Sequence, residues 1–148
     1  NKKYLFKPDE NKLLKVHKNL DNNIALIKLF PGITKNVIES IFSNKNLKAV
    51  ILETYGAGNC TTESWFINLV KEKIANGIHL INITQCSGGS VMMGHYESSN
   101  SLKTIGVISG KDITTEAAIV KLMYLLRQDI SAEMFKSAYE MSLRGEMT

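Results

Sequence analysis

Gly56-Ala57-Gly58-Asn59-Cys60 ends one β-branched run, and Gln85-Cys86-Ser87-Gly88-Gly89 ends another. Both stretches set glycine beside small polar groups and a thiol, so backbone N–H groups can approach a ligand closely. A phosphate cradle fits poorly. Gly56-x-Gly58 opens like G-x-G-x-x-G, but Thr61 stands at the third glycine. The acidic residue expected about 20 residues on is also missing, because the next run ends in Thr84-Gln85, and there is no G-x-x-x-x-G-K-[ST]. A thiol nucleophile is the second chemistry. Cys60 precedes a predicted helix, whose dipole would lower its pKa. Cys86 and His95 would form a Cys–His pair for acyl transfer; the competing reading of each thiol is an inert, packed cysteine. Two cysteines and the dispersed His17, His79 and His95 lack metal-ligand spacing, so no metal is expected. His17 and His79 read as surface or packed groups. Glu53 falls inside a buried-looking strand, and is expected near solvent, at an interface or against a ligand.

The positioning elements follow from hydrophobic rhythm. Ile24–Phe30, Ala49–Tyr55, Ile78–Thr84 and Gly106–Gly110 read as strands, each stopped by turn residues. Helices are expected from Thr34 to about Asn44, from Thr62 with a stripe of Trp65, Phe66, Leu69, Val70 and Ile74, and from Tyr96 to Thr104. Two more are expected after a Thr114 or Thr115 cap and after Ser131, with Ile130 and Phe135 placed as a hydrophobic staple. Gly77 stands where a helix C-terminus takes a left-handed residue. Strand–helix alternation with near-continuous apolar strands predicts an α/β fold: a four-stranded parallel sheet with helices on both faces. The expected form is a flavodoxin-like, Rossmann-like three-layer arrangement in strand order 2-1-3-4. Ligands in such sheets sit beyond the carboxyl ends of the strands, where the glycine loops lie.

The 148 residues suit one domain, expected over 23–148, with 1–22 as an arm or linker in which Tyr4-Leu5-Phe6 could pair or pack. The net charge of +4 comes from scattered lysines without aromatic platforms, so no nucleic-acid partner is expected. No apolar run reaches the roughly 18 residues of a membrane span, and the lysine-rich start has no apolar h-region of a signal peptide. Two cysteines make no disulfide framework, which suits a cytoplasmic protein. Asn1 in place of methionine is expected of a processed product or a piece of a longer protein.

Four segments, ILETYGAGN, INITQCSGGSVMMGHYE, GVISGKDITTEAAIVKLMYLL and LRGEMT, occur in order. Together, from about Ile24 to Thr148, they resemble the C-terminal domain of cytoplasmic (type I) L-asparaginases. The resemblance implies an amidohydrolase of two α/β domains that converts L-asparagine to aspartate and ammonia without a cofactor. Its threonine nucleophile would lie on a T-G-G-T segment of an N-terminal domain, with a T-D pair and a lysine as a second catalytic group. Neither motif is in this chain, so no catalytic residue is expected here. No base or oxyanion site can be assembled around any threonine from the sequence. The resemblance also implies sites formed between subunits of a dimer or tetramer, with Asn59 and Tyr96 as the substrate-binding residues from this half. Read without the resemblance, Asn59 is equally a turn residue tolerating left-handed geometry, and Tyr96 a packed ring. Some family members bind asparagine at a second, regulatory site, which maps onto Thr84, Gln85 and Cys86. Glu53 stands where some of them have arginine, which removes a carboxylate partner and adds a repelling charge. The alternative readings are an amino-acid-sensing flavodoxin-like module and a thiol enzyme built on Cys86 and His95.

Overall fold

The computed structural model describes residue 13 and residues 15–94 and 97–148. Strands β1 (Ile24–Lys28), β2 (Ala49–Thr54), β3 (His79–Thr84) and β4 (Ile108–Ser109) form one parallel sheet. They are joined by α1 (Lys35–Phe42), α2 (Ser64–Ala75) and α3 (Glu97–Thr104), and followed by α4 (Thr115–Leu125) and α5 (Ala132–Glu140). The α/β class and the four parallel strands are as expected.

The strand order is not. It runs β1-β2-β3-β4, where 2-1-3-4 was expected. Right-handed crossovers that always step the same way leave every crossover helix on one face. Accordingly, Ile38 of α1, Phe66 of α2 and Leu102 of α3 share a core with Ile27, Val50, Leu52 and Leu80. The opposite face, carrying Ile51, Ile81 and Ile83, is covered by α4 and α5 through Ala118, Leu122 and Phe135. Both faces are therefore covered, by three helices and two. β1 and β4 are the two edge strands; in β1 Leu26 is 42% exposed and Lys28 faces solvent, whereas every residue of β2 is buried. A lysine in an otherwise apolar strand suits an edge.

The helix ends show which local signals governed. Thr114 caps α4, its hydroxyl accepting from the Ala117 N–H at 3.3 Å. Thr34 and Ser131 occupy N-cap positions without a side-chain cap bond. Ile130 and Phe135 do join one cluster under α5. α2 starts one residue later than expected, with Glu63 at the N-cap, because the Thr61 hydroxyl accepts from the Glu63 N–H at 3.3 Å and turns the chain there. Gly77, at φ +87°, ends α2 in a Schellman motif: the Ile78 N–H donates to Lys73 O and the Gly77 N–H to Ile74 O.

The carboxyl-terminal segment straps across α4. Lys121 of α4 is buried and its Nζ lies 2.7 Å from Glu146 Oε1. The Leu143 and Arg144 N–H groups donate to the same carboxylate, at 2.9 and 2.6 Å. The Thr148 N–H reaches Asp112 Oδ1 at 2.7 Å.

Candidate functional site

The Gly56–Asn59 loop leaves the carboxyl end of β2 and closes on itself. Tyr55 and Asn59 form an antiparallel bridge, each N–H donating to the other's carbonyl at 2.8 Å. Gly56 (φ +49°) and Gly58 (φ +101°) supply the left-handed backbone of this turn. Asn59 does not: Lys111 is the non-glycine residue with positive φ among the described residues. The turn reading of Asn59 is thus overturned, and the half-buried Asn59 sits at the loop's exit, on the sheet edge.

Under this loop lies a buried polar layer. Asn82, fully buried in β3, accepts from the Thr54 hydroxyl at 2.6 Å and donates through Nδ2 to Gly58 O at 3.0 Å. Thr84 donates its hydroxyl to Gly56 O and accepts from the Cys86 N–H at 3.0 Å. Gln85 Nε2 donates to Leu29 O and Glu53 O, at 2.7 and 2.8 Å, and so ties the ends of β1 and β2. The predicted Thr84 and Gln85 are therefore brought to the edge, with their donors engaged by backbone carbonyls. Asn82 belongs to no motif; its signal in the sequence is an amide in the middle of an apolar strand run, which demands buried partners.

Glu53 points to the other face. It is 7% exposed, and accepts from the hydroxyl of Thr115, the first residue of α4. Lys28 Nζ lies 3.7 Å from its other oxygen. The expectation of a solvent-facing or partner-facing Glu53 is corrected, because its partners come from within the chain. The same contact corrects the expectation that no threonine has a neighbouring base. Thr115 and Glu53 are a hydroxyl–carboxylate pair, hidden in the sequence by their separation of 62 residues.

The thiols separate clearly. Cys60 is buried and Cys86 exposed. Burial pushes the Cys60 thiol up to about 11, opposite to the lowering expected of a helix N-terminus, so desolvation wins. At pH 8, iodoacetamide should label Cys86 and leave Cys60 intact in a mass-spectrometric map; equal labelling of both would contradict this. His79 stacks on Phe135 with ring centroids 3.7 Å apart, and burial lowers its pKa. His17 meets the edge of Tyr124. His79 is thus a packed histidine and His17 a surface one. His95, Tyr96 and Tyr4-Leu5-Phe6 lie outside the described residues. Among the described residues no His, Cys, Asp and Glu group could hold a metal ion, and no helix is long and apolar enough to cross a membrane.

A hollow of about 220 Å³ opens beside the loop, between Pro31-Gly32, Tyr55, Thr61 and Trp65. Its wall is stiffened by the Trp65 indole N–H, which donates to Glu63 at 2.6 Å. A larger hollow, of about 400 Å³, runs along α4 past Val120 and Tyr124, away from this edge.

Comparison with known proteins places this edge in context. Residues 23–139 match the model of the glutaminase/asparaginase C-terminal domain. L-asparaginase 1 of Escherichia coli K12 is 39% identical over 133 residues, which are 90% of this chain and 39% of that protein. The human 60 kDa lysophospholipase is 34% identical over 149 residues, all of this chain and 26% of that protein. The crystal structure of L-asparaginase I from Vibrio cholerae superposes with a TM-score of 0.79 at 40% identity, over 85% of this chain and 38% of that one. The chain thus spans well under half the length of these relatives.

Proposed function

The chain belongs to the glutaminase/asparaginase C-terminal domain family, and from that premise we propose that it is the pocket-closing half of an enzyme hydrolysing L-asparagine to L-aspartate and ammonia. The observation that carries the reading is the carboxyl edge of the sheet. It presents a rigid glycine loop ending in Asn59, while the Thr54 and Thr84 hydroxyls beneath it are bonded to neighbours other than a catalytic base. An edge of this kind orients a substrate and leaves the attacking hydroxyl to another domain. That other domain is N-terminal and is joined through residues 1–22. No cofactor is needed for the reaction.

In this reading Asn59 and Tyr96 are the substrate-binding residues. A carboxamide offers both a carbonyl and an amide to the α-amino and α-carboxylate groups of an amino acid. Thr84, Gln85 and Cys86 mark a second, regulatory site, with Glu53 buried behind it on the opposite face of the sheet. The complete protein is a cytoplasmic dimer or tetramer in which neighbouring subunits complete each pocket.

Ammonia release tests the reading. The chain alone should release none from L-asparagine above the buffer rate, and the protein carrying the N-terminal domain should release it. In that complete protein, Asn59→Ala should raise KM about tenfold, equivalent to about 1.4 kcal/mol of lost substrate binding, with kcat changed far less. Ammonia release by the chain alone, abolished by Thr115→Val, would overturn it. It would place the nucleophile at the Glu53–Thr115 pair.

A further inference from the structure

We propose that Asn82, fully buried in β3, is a positioning residue that holds the Asn59 loop against the sheet edge. The inference rests on the reading of Asn59 as a substrate contact.

Asn82 joins both loops above the edge through a single amide nitrogen. Its Nδ2 donates to Gly58 O at 3.0 Å, one residue before Asn59, and lies 3.4 Å from Met93 Sδ. The two loops also join directly, the Met92 N–H donating to Ala57 O at 2.9 Å. Thr54 aims the amide. Its hydroxyl donates to Asn82 Oδ1 at 2.6 Å, and this fixes which end of the carboxamide faces the loop. Room is minimal: a Cβ on Gly58 would lie 3.1 Å from Asn82 Nδ2 and 2.8 Å from Val91 Cγ1. The loop therefore rests directly on the Asn82 amide, which sets its height together with the Thr84–Gly56 and Met92–Ala57 bonds. The β3 backbone anchors the clamp, since the Gly110 N–H donates to Asn82 O at 2.7 Å. A buried amide so oriented acts on substrate only through the backbone of residues 56–59.

Asn82→Asp sets an oxygen against the Gly58 carbonyl while keeping the size and the Thr54 acceptor. Thr54→Val removes the aiming hydroxyl without adding charge, and Thr54→Ser retains it. In this chain, hydrogen exchange at the Asn59 and Met92 amides should accelerate about tenfold in Asn82→Asp and Thr54→Val. Exchange should stay unchanged in Thr54→Ser, and at Leu52 and Ile81 in all three. In the complete enzyme, Asn82→Asp and Thr54→Val should raise KM about five- to tenfold with kcat nearly unchanged, and Thr54→Ser should behave as the parent. Combined with Asn59→Ala, neither should raise KM further, because the contact they position is already gone. Unchanged loop exchange, or a KM increase that adds to that of Asn59→Ala, would overturn the positioning role and leave the Asn59 reading standing. An unchanged KM in Asn59→Ala alone would overturn that reading, and the positioning role with it.

Discussion

Glu146→Gln should destabilise this domain by about 3 kcal/mol, and adding Lys121→Met should restore at least half of the loss. The Lys121 side chain is 3% exposed and the Glu146 side chain 14%, with Nζ and Oε1 2.7 Å apart. Glutamine keeps one acceptor oxygen for the Leu143 and Arg144 N–H groups and turns an NH2 toward the Lys121 ammonium, so both the counter-charge and its hydrogen bond are lost. The change leaves a buried ammonium facing Met141 O at 2.7 Å and the Tyr139 ring at 5.1 Å, with no counter-charge. Removing one member of a buried pair is far worse than removing both, because the remaining ion keeps its desolvation penalty. Burial alone would raise the Glu146 pKa. The Leu143 N–H, the Lys121 ammonium and the Arg144 N–H outweigh it and hold the carboxyl at about 2.

The folded value lies below the ordinary 4.5. The stabilisation is therefore complete above about pH 4.5 and drains away as the pH falls toward 2. Urea unfolding from pH 7 to pH 2.5 should show a steeper acid loss in the parent than in Glu146→Gln. A single variant within 1 kcal/mol of the parent, or parallel pH profiles, would contradict the strap as a stabilising element.

Gly110→Ala should lower stability by about 3 kcal/mol, which for a domain of this size is a fall in Tm of roughly 10 °C. A Cβ at Gly110 would lie 2.5 Å from Ile83 Cγ2 and 2.9 Å from Asn82 O. Neither neighbour can yield. Ile83 is fully buried in the α4–α5 core, and Asn82 O already accepts the Gly110 N–H at 2.7 Å. β4 joins the sheet through only Ile108 and Ser109, so the Gly110 bond is a large share of its attachment. Gly77→Ala makes the control, since nothing lies within 4 Å of a Cβ there and only its φ of +87° opposes substitution. It should lose about 1 kcal/mol. Equal losses at the two glycines, read by calorimetry, would show that backbone conformation rather than close packing governs Gly110.

The strands were legible because Ala49–Leu52 and Ile78–Ile83 are apolar runs bounded by turn residues, a local property that needs no partner to be read. Gly77 was legible because an α-helix end has few solutions and glycine serves the commonest. The glycine loop at residues 56–59 could be placed at a sheet edge for the same reason. Strand order was harder. It depends on which strands tolerate an open side, and Lys28 is the faint sign in the sequence that β1 is one of the two outer strands. Cys60 shows local reasoning failing in sign. A nearby helix start lowers a thiol pKa, yet the hydrophobic neighbours that raise it arrive from elsewhere in the chain.

Chain chemistry alone established the α/β class, the loops at the carboxyl edge, and the kinship carried by ILETYGAGN and LRGEMT, since these rest on runs of neighbouring residues. Folding added the pairings between distant residues: Thr54 with Asn82, Glu53 with Thr115, Lys121 with Glu146. Each is a buried polar contact whose energy depends on distance and on the exclusion of water. Both quantities come into being only when separate elements close on one another.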